Sequence, residues 1–138
     1  MAHLHVNFLA VLVAALVTFA LGALWYSPFL FARQWMKAHG LTQAKLKAMR
    51  KDAAKAYGVS LGCYLVMAFA LAVLLNITHI TAFAAGIKLG ILCWVGFAAT
   101  VGLTGHMFSG KPIAAWLIDT GYQLIYLALM AGILTAWR

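Results

Sequence analysis

Residues 33–55 read RQWMKAHGLTQAKLKAMRKDAAK, and this stretch decides how the rest of the chain is arranged. It holds Arg33, Lys37, Lys45, Lys47, Arg50, Lys51 and Lys55, seven of the ten Lys and Arg residues, against the single acid Asp52. The sequence on either side is almost uncharged and apolar enough to lie in lipid. A cationic segment between apolar spans is retained on the cytoplasmic side of a membrane, because positive charge resists translocation. The stretch therefore reads as a large cytoplasmic connector, and it orients everything around it.

Composition agrees with this. Of 138 residues, 66% are hydrophobic and only 9% charged, which lies outside the range of a soluble globule. The formal charge of +8 would suggest nucleic acid if it were spread over a soluble surface. Gathered in one connector, it points instead to a lipid bilayer with anionic headgroups, at about 1 kcal/mol per basic residue held near the surface. No nucleic-acid partner is expected. Cys63 and Cys93 both fall in apolar spans without a redox partner or metal-ligand spacing, so they read as small core residues.

Working outward, the chain is a single integral membrane domain over 1–138, all-α and polytopic, with four transmembrane helices. The spans are predicted at about 6–26, 57–75, 82–103 and 113–137, each close to the ~20 residues that cross a hydrocarbon core. The first could be mistaken for a cleaved signal peptide. His3 and His5 are poor substitutes for a basic leader, however, and the span is expected to be retained. Residues 27–56 form a basic, amphipathic two-helix connector. Ser27 and Pro28 suit a helix start, Gly40 a helix end, and Thr42 the cap of a second helix. Arg33, Lys37, Lys47, Lys51 and Lys55 are its expected contacts with lipid headgroups, the last three forming a ladder at i, i+4, i+8. With this connector inside, eight Lys and Arg (the seven and Lys111) lie inside and two (Lys88 and Arg138) outside, so both termini face out.

The residue most in need of explanation is Asp119, the only carboxylate in a span, since a charge near the bilayer centre costs about 2.5 to 3.5 kcal/mol even on lenient insertion scales. Asp119, Tyr122, Gln123 and Tyr126 are spaced i, i+3, i+4, i+7 and so make one polar stripe on the fourth span. Two readings stand: the stripe lines a polar path with Asp119 as a proton or cation site, or it joins helices through Thr18, Ser60, Tyr64, Thr100 or Thr104. Lys88 is too far along the bilayer normal to pair with Asp119 and is expected to snorkel. His39 and His106 belong to the connector side and meet Asp119 only if the loops fold inward. Trp25, Tyr26, Tyr57 and Trp116 are expected to mark one interface and Trp137 the other. Ser27, Ser60 and Ser109 have no visible base, so an enzyme is not expected. Neither a metal site nor a cofactor is expected, because His3, His5 and His79 lack diagnostic ligand spacing.

Small residues recur at Gly58 and Gly62, at Gly86 and Gly90, and at Ala128, Gly132 and Ala136. These are candidate helix-packing positions, and they make a homo-oligomer plausible. On a regular helical wheel Gly86, Gly90, Cys93, Thr100 and Thr104 share one side of the third span, interrupted by Phe97.

Four stretches also resemble a family of small bacterial membrane proteins catalogued as a domain of unknown function, family 1761. They are Leu24-Trp25-Tyr26-Ser27-Pro28 with Phe31 and Trp35; Ala56-Tyr57-Gly58; Trp94-x-Gly96-Phe97; and Trp116-Leu-Ile-Asp119-x-Gly121-Tyr122-Gln123-Leu124. The resemblance implies a four-span fold in a bacterial inner (plasma) membrane and supplies no activity. The expected role is an oligomeric membrane protein that binds or moves a small solute, ion or proton along the stripe. The competing one is a structural or accessory subunit that holds lipid or a partner protein through its basic helices.

Overall fold

The computed structural model describes residues 3–138 and shows an all-α architecture with four helices long and apolar enough to cross a membrane. The first is α1 (Phe8–Trp25). It starts two residues later than predicted because the Asn7 side chain accepts hydrogen bonds from the backbone N–H of Leu9 and Ala10 at 3.1 and 3.2 Å. Two short helices follow, α2 (Ala32–Ala38) and α3 (Gln43–Arg50). Next come α4 (Ala53–Ile77) and α5 (Phe83–Cys93). A π-helical turn over Trp94–Ala98 joins α5 to α6 (Ala99–Phe108), and α7 (Ile113–Ala136) completes the fold.

The connector contains the two expected helices with different entry chemistry. Ser27 does not cap α2: its hydroxyl donates back to the Leu24 carbonyl at 2.6 Å, and residues 27–31 form turns. Phe31 N–H donates to the Trp25 carbonyl at 3.1 Å, and its ring lies 4.6 Å from that of Trp25, which folds α2 back beneath α1. Gly40 ends this helix at φ +62°, a conformation that costs a residue without Cβ little. Thr42 then caps α3, its hydroxyl accepting from Lys45 N–H at 3.3 Å. The lysine ladder is broken, because α3 stops at Arg50 and Lys51-Asp52 turn before α4 begins.

The core sits around α7, which packs on α1 and α4 along one side and on α5 and α6 along the other. Its buried residues run from Ala115 to Thr135. Gly90 shows how closely the second side approaches: a Cβ there would stand 2.6 Å from the Leu127 carbonyl oxygen. Elsewhere the bundle is thin. Phe8, Val66, Phe97 and Val101 are 68–71% exposed, surface that water penalises and lipid covers.

The π-turn corrects the wheel reading of the third span. Gly86 and Gly90 are buried against α7, whereas Thr100 and Thr104 are exposed and return their hydroxyls to the carbonyls of Gly96 and Thr100. A π-turn widens the hydrogen-bonded ring to i→i+5 and so inserts a residue into the helical count. Beyond it the buried face moves to Ala99, with Gly102 and His106 half-buried, and Phe97 and Val101 turn outward.

Candidate functional site

A cleft of about 780 Å³ lies at the connector end, bounded by α1, α2, α3, α4 and α7. Most of its wall is aromatic or aliphatic: Phe19 and Tyr26 from α1 and its C-cap, Trp35 and Met36 from α2, Leu46 from α3, and Tyr57 and Tyr64 from α4. Ser60, His39, Lys111, Asp119 and Tyr122 supply its polar groups.

Asp119 is held from three directions. Its Oδ1 accepts from Tyr26 OH at 2.6 Å and from the Trp35 indole N–H at 3.2 Å. Its Oδ2 lies 3.4 Å from His106 Nε2, which makes no aligned hydrogen bond among the described residues. His106 meets the carboxylate from the last turn of α6, so the contact is made between helices and needs no inward-folding loop. His39 stays with α2, its Nδ1 3.0 Å from the Trp35 carbonyl, and lines the cleft.

The rest of the stripe divides. Tyr122 is 5% exposed, and its hydroxyl donates to the Thr18 carbonyl at 2.8 Å and lies 3.1 Å from Tyr64 OH. It reaches that carbonyl because Gly22 has no side chain: a Cβ there would sit 2.7 Å from the Tyr122 hydroxyl. Tyr126 is buried deeper, with its hydroxyl 3.6 Å from Met67 Sδ and its ring 4.8 Å from that of Tyr122. Gln123 does not line the cleft, and its buried Oε1 has no hydrogen-bond partner among the described residues. Of the neighbours expected for the stripe, Thr18, Tyr64 and Ser60 are at the cleft or its floor, while Thr100 and Thr104 face away.

The indoles bond to the bundle itself. Trp25 donates its indole N–H to the Ile118 carbonyl at 3.0 Å, Trp94 to Thr120 at 2.8 Å, and Trp116 to Ala99 at 3.1 Å. With Trp35 on Asp119, four indoles bond inside the bundle, and Trp137 is exposed at the terminal end. Indole N–H groups facing lipid have no acceptor there, so helix carbonyls and the carboxylate attract them inward.

Arg33, Lys37, Lys47, Lys51 and Lys55 are all exposed, as is Lys88 on α5. Gly58 and Gly62 lie on an exposed face of α4, where a Cβ would meet nothing within 4 Å, unlike Gly86 and Gly90. Among the described residues no three His, Cys, Asp or Glu side chains are grouped to hold a metal ion.

Sequence reasoning placed Asp119 and Tyr122 but missed Tyr26, Trp35 and Gly22 as their partners. One signal was available: the stretches around residues 24–35 and 116–124, noted above for their resemblance, are the two that this site joins, through Trp25 to Ile118 and Tyr26 to Asp119. A family model described as a protein of unknown function (DUF1761) matches residues 9–135. No curated protein and no solved structure matches the chain.

Proposed function

The chain belongs to the DUF1761 family of proteins of unknown function, and from that premise we propose that it is a non-enzymatic membrane protein that binds a small solute of mixed apolar and polar character in its connector-end cleft. The observation that carries this reading is the cleft itself. Its volume of about 780 Å³ falls within the range of small-molecule sites. Aromatic walls with a few converging polar groups are the usual construction of such sites. Asp119, Lys111 and His39 offer both a carboxylate and hydrogen-bond donors, which suits a ligand with a polar head and an apolar body.

In this reading the connector faces the cytoplasm of a bacterial cell and both termini face out, following the distribution of Lys and Arg. Movement of a solute across the bilayer would be the work of several copies, since each bundle is filled by its own side chains. The bare α4 surface at Gly58 and Gly62 offers a seam for such assembly. Native mass spectrometry of the full chain released from membranes tests the binding claim. A retained small-molecule mass, lost when Ser60→Trp fills the cleft, is expected; a wild-type protein free of any such mass, with no solute flux in proteoliposomes, refutes it.

The exposed cations favour a second reading, an accessory subunit docked on anionic lipid or an acidic partner. Arg33, Lys37, Lys47 and Lys51 point away from the bundle, and no acidic side chain pairs with them among the described residues. Loss of vesicle association on their neutralisation, with no ligand ever found in the cleft, would favour this role.

A further inference from the structure

We infer that His106 and Asp119 form a proton-binding site in which one proton is held between Nε2 of the imidazole and Oδ2 of the carboxylate. His106 Nδ1 lies 2.8 Å from the Gly102 carbonyl oxygen. A carbonyl oxygen only accepts, so Nδ1 carries a hydrogen and donates it. In a neutral ring of that tautomer Nε2 is a bare lone pair. This lone pair is buried, makes no hydrogen bond among the described residues and stands 3.4 Å from Asp119 Oδ2.

A neutral imidazole in this orientation beside an ionised carboxylate sets lone pair against lone pair. One added proton removes the conflict, either on Nε2, giving an imidazolium–carboxylate pair, or on Oδ2, giving an O–H donor to nitrogen. Tyr26 OH and Trp35 N–H both donate to Oδ1, which leaves Oδ2 as the oxygen that faces Nε2. The resulting pair is neutral as a unit, a form that the interior of a thin bundle tolerates better than a lone charge.

Other titratable or charged groups reach this locus from the elements around it. Tyr57 and Tyr64 of α4, Tyr122 of α7, His39 beyond α2 and Lys111 in the α6–α7 turn all line the same cleft. Lys111 lines the cleft with Asp119, whereas His39 donates its Nδ1–H to the Trp35 carbonyl. Because Asp119 both belongs to the couple and lines the cleft, the proton is linked to events there. Any group that draws Oδ2 away leaves Nε2 without a partner. Trp35 extends the link to α2, which is tied to the other oxygen of the same carboxylate.

The test is ¹⁵N NMR of the histidine rings and ¹³C NMR of the aspartate carboxyls in the full chain, in lipid nanodiscs at pH 7. Two wild-type results support the site: His106 protonated on both nitrogens beside an ionised Asp119, or Nε2 accepting a hydrogen bond from a protonated Asp119. In Asp119→Asn the amide oxygen can keep Tyr26 and Trp35 while the amide N–H donates to Nε2, so His106 should become a neutral Nδ1–H ring. A wild-type Nε2–H neutral ring overturns the proposal, as does a neutral ring beside an ionised carboxylate. A ring that stays doubly protonated in Asp119→Asn also overturns it. The wild-type measurement decides alone if the variant does not fold, and none of these outcomes depends on a ligand occupying the cleft.

Discussion

Replacing Gly22 by alanine perturbs the contact on which the cleft floor rests. The new Cβ would stand 2.7 Å from the Tyr122 hydroxyl and 3.2 Å from its Cζ. The ring has little room to give, since the rings of Trp25, Tyr26, Tyr64 and Tyr126 surround it at centroid distances of 4.8–6.5 Å. Displacing the hydroxyl breaks its hydrogen bond to the Thr18 carbonyl and its contact with Tyr64. A buried hydroxyl left unsatisfied costs about 1 to 3 kcal/mol, and the overpacking about as much again. Alanine regains at most about 1 kcal/mol through helix propensity. The expected net destabilisation is about 3 kcal/mol. Tyr122→Phe alone should cost only about 0.5 to 1.5 kcal/mol, and it removes the atom that clashes. The double variant should therefore recover much of the loss, with a coupling energy of about 1 to 3 kcal/mol. Reversible unfolding by SDS from mixed micelles, followed by tryptophan fluorescence, measures all four corners of the cycle. Effects that add within about 0.5 kcal/mol, or a Gly22→Ala variant as stable as wild type, would refute the close approach.

Further outcomes follow from the same geometry. In Gly90→Ala the obstructing atom is the Leu127 carbonyl at 2.6 Å, so α5 and α7 must part and about 1 to 3 kcal/mol should be lost in the same unfolding assay, with no side-chain truncation able to rescue it. Gly58→Ala and Gly62→Ala meet nothing within 4 Å and should leave the bundle as stable or up to about 1 kcal/mol more stable; a fall in oligomer mass on native mass spectrometry would mark this face as an interface between copies. Tyr26→Phe removes a hydrogen bond to a carboxylate and should cost about 1.5 to 3 kcal/mol, read in that assay, while Trp35→Phe should raise protease cleavage within α2. Neutralising Lys47 and Lys51 together should weaken association with anionic nanodisc lipids by about 1 kcal/mol per charge, with no change on zwitterionic lipid.

The π-turn shows where a one-dimensional reading stops. Gly86 and Gly90 fall on the buried face that the wheel assigns them, because α5 is regular up to Cys93. Past Trp94–Ala98 the same wheel places Thr100 and Thr104 inside, and both are outside. The turn also brings the Trp94 indole to Thr120 and puts His106 within reach of Asp119. None of the five residues in the turn is a proline, and no local pattern marks it. The helix changes register there in company with its packing against α7.

Sequence by itself determined that four helices are long and apolar enough to cross a membrane and that the connector holds two more. Each of these is a local property: lipid requires about 20 apolar residues in a helix that satisfies its own backbone, and Gly40 and Thr42 act on their immediate neighbours. It also singled out Asp119, since a carboxylate in such a helix is conspicuous wherever it points. Only the tertiary structure decided that Asp119 meets Tyr26, Trp35 and His106, the first two lying 93 and 84 residues away along the chain. Which faces of helices meet depends on close approach at Gly22 and Gly90 and on the register shift in the third span, and these arise from packing between segments rather than from any one of them.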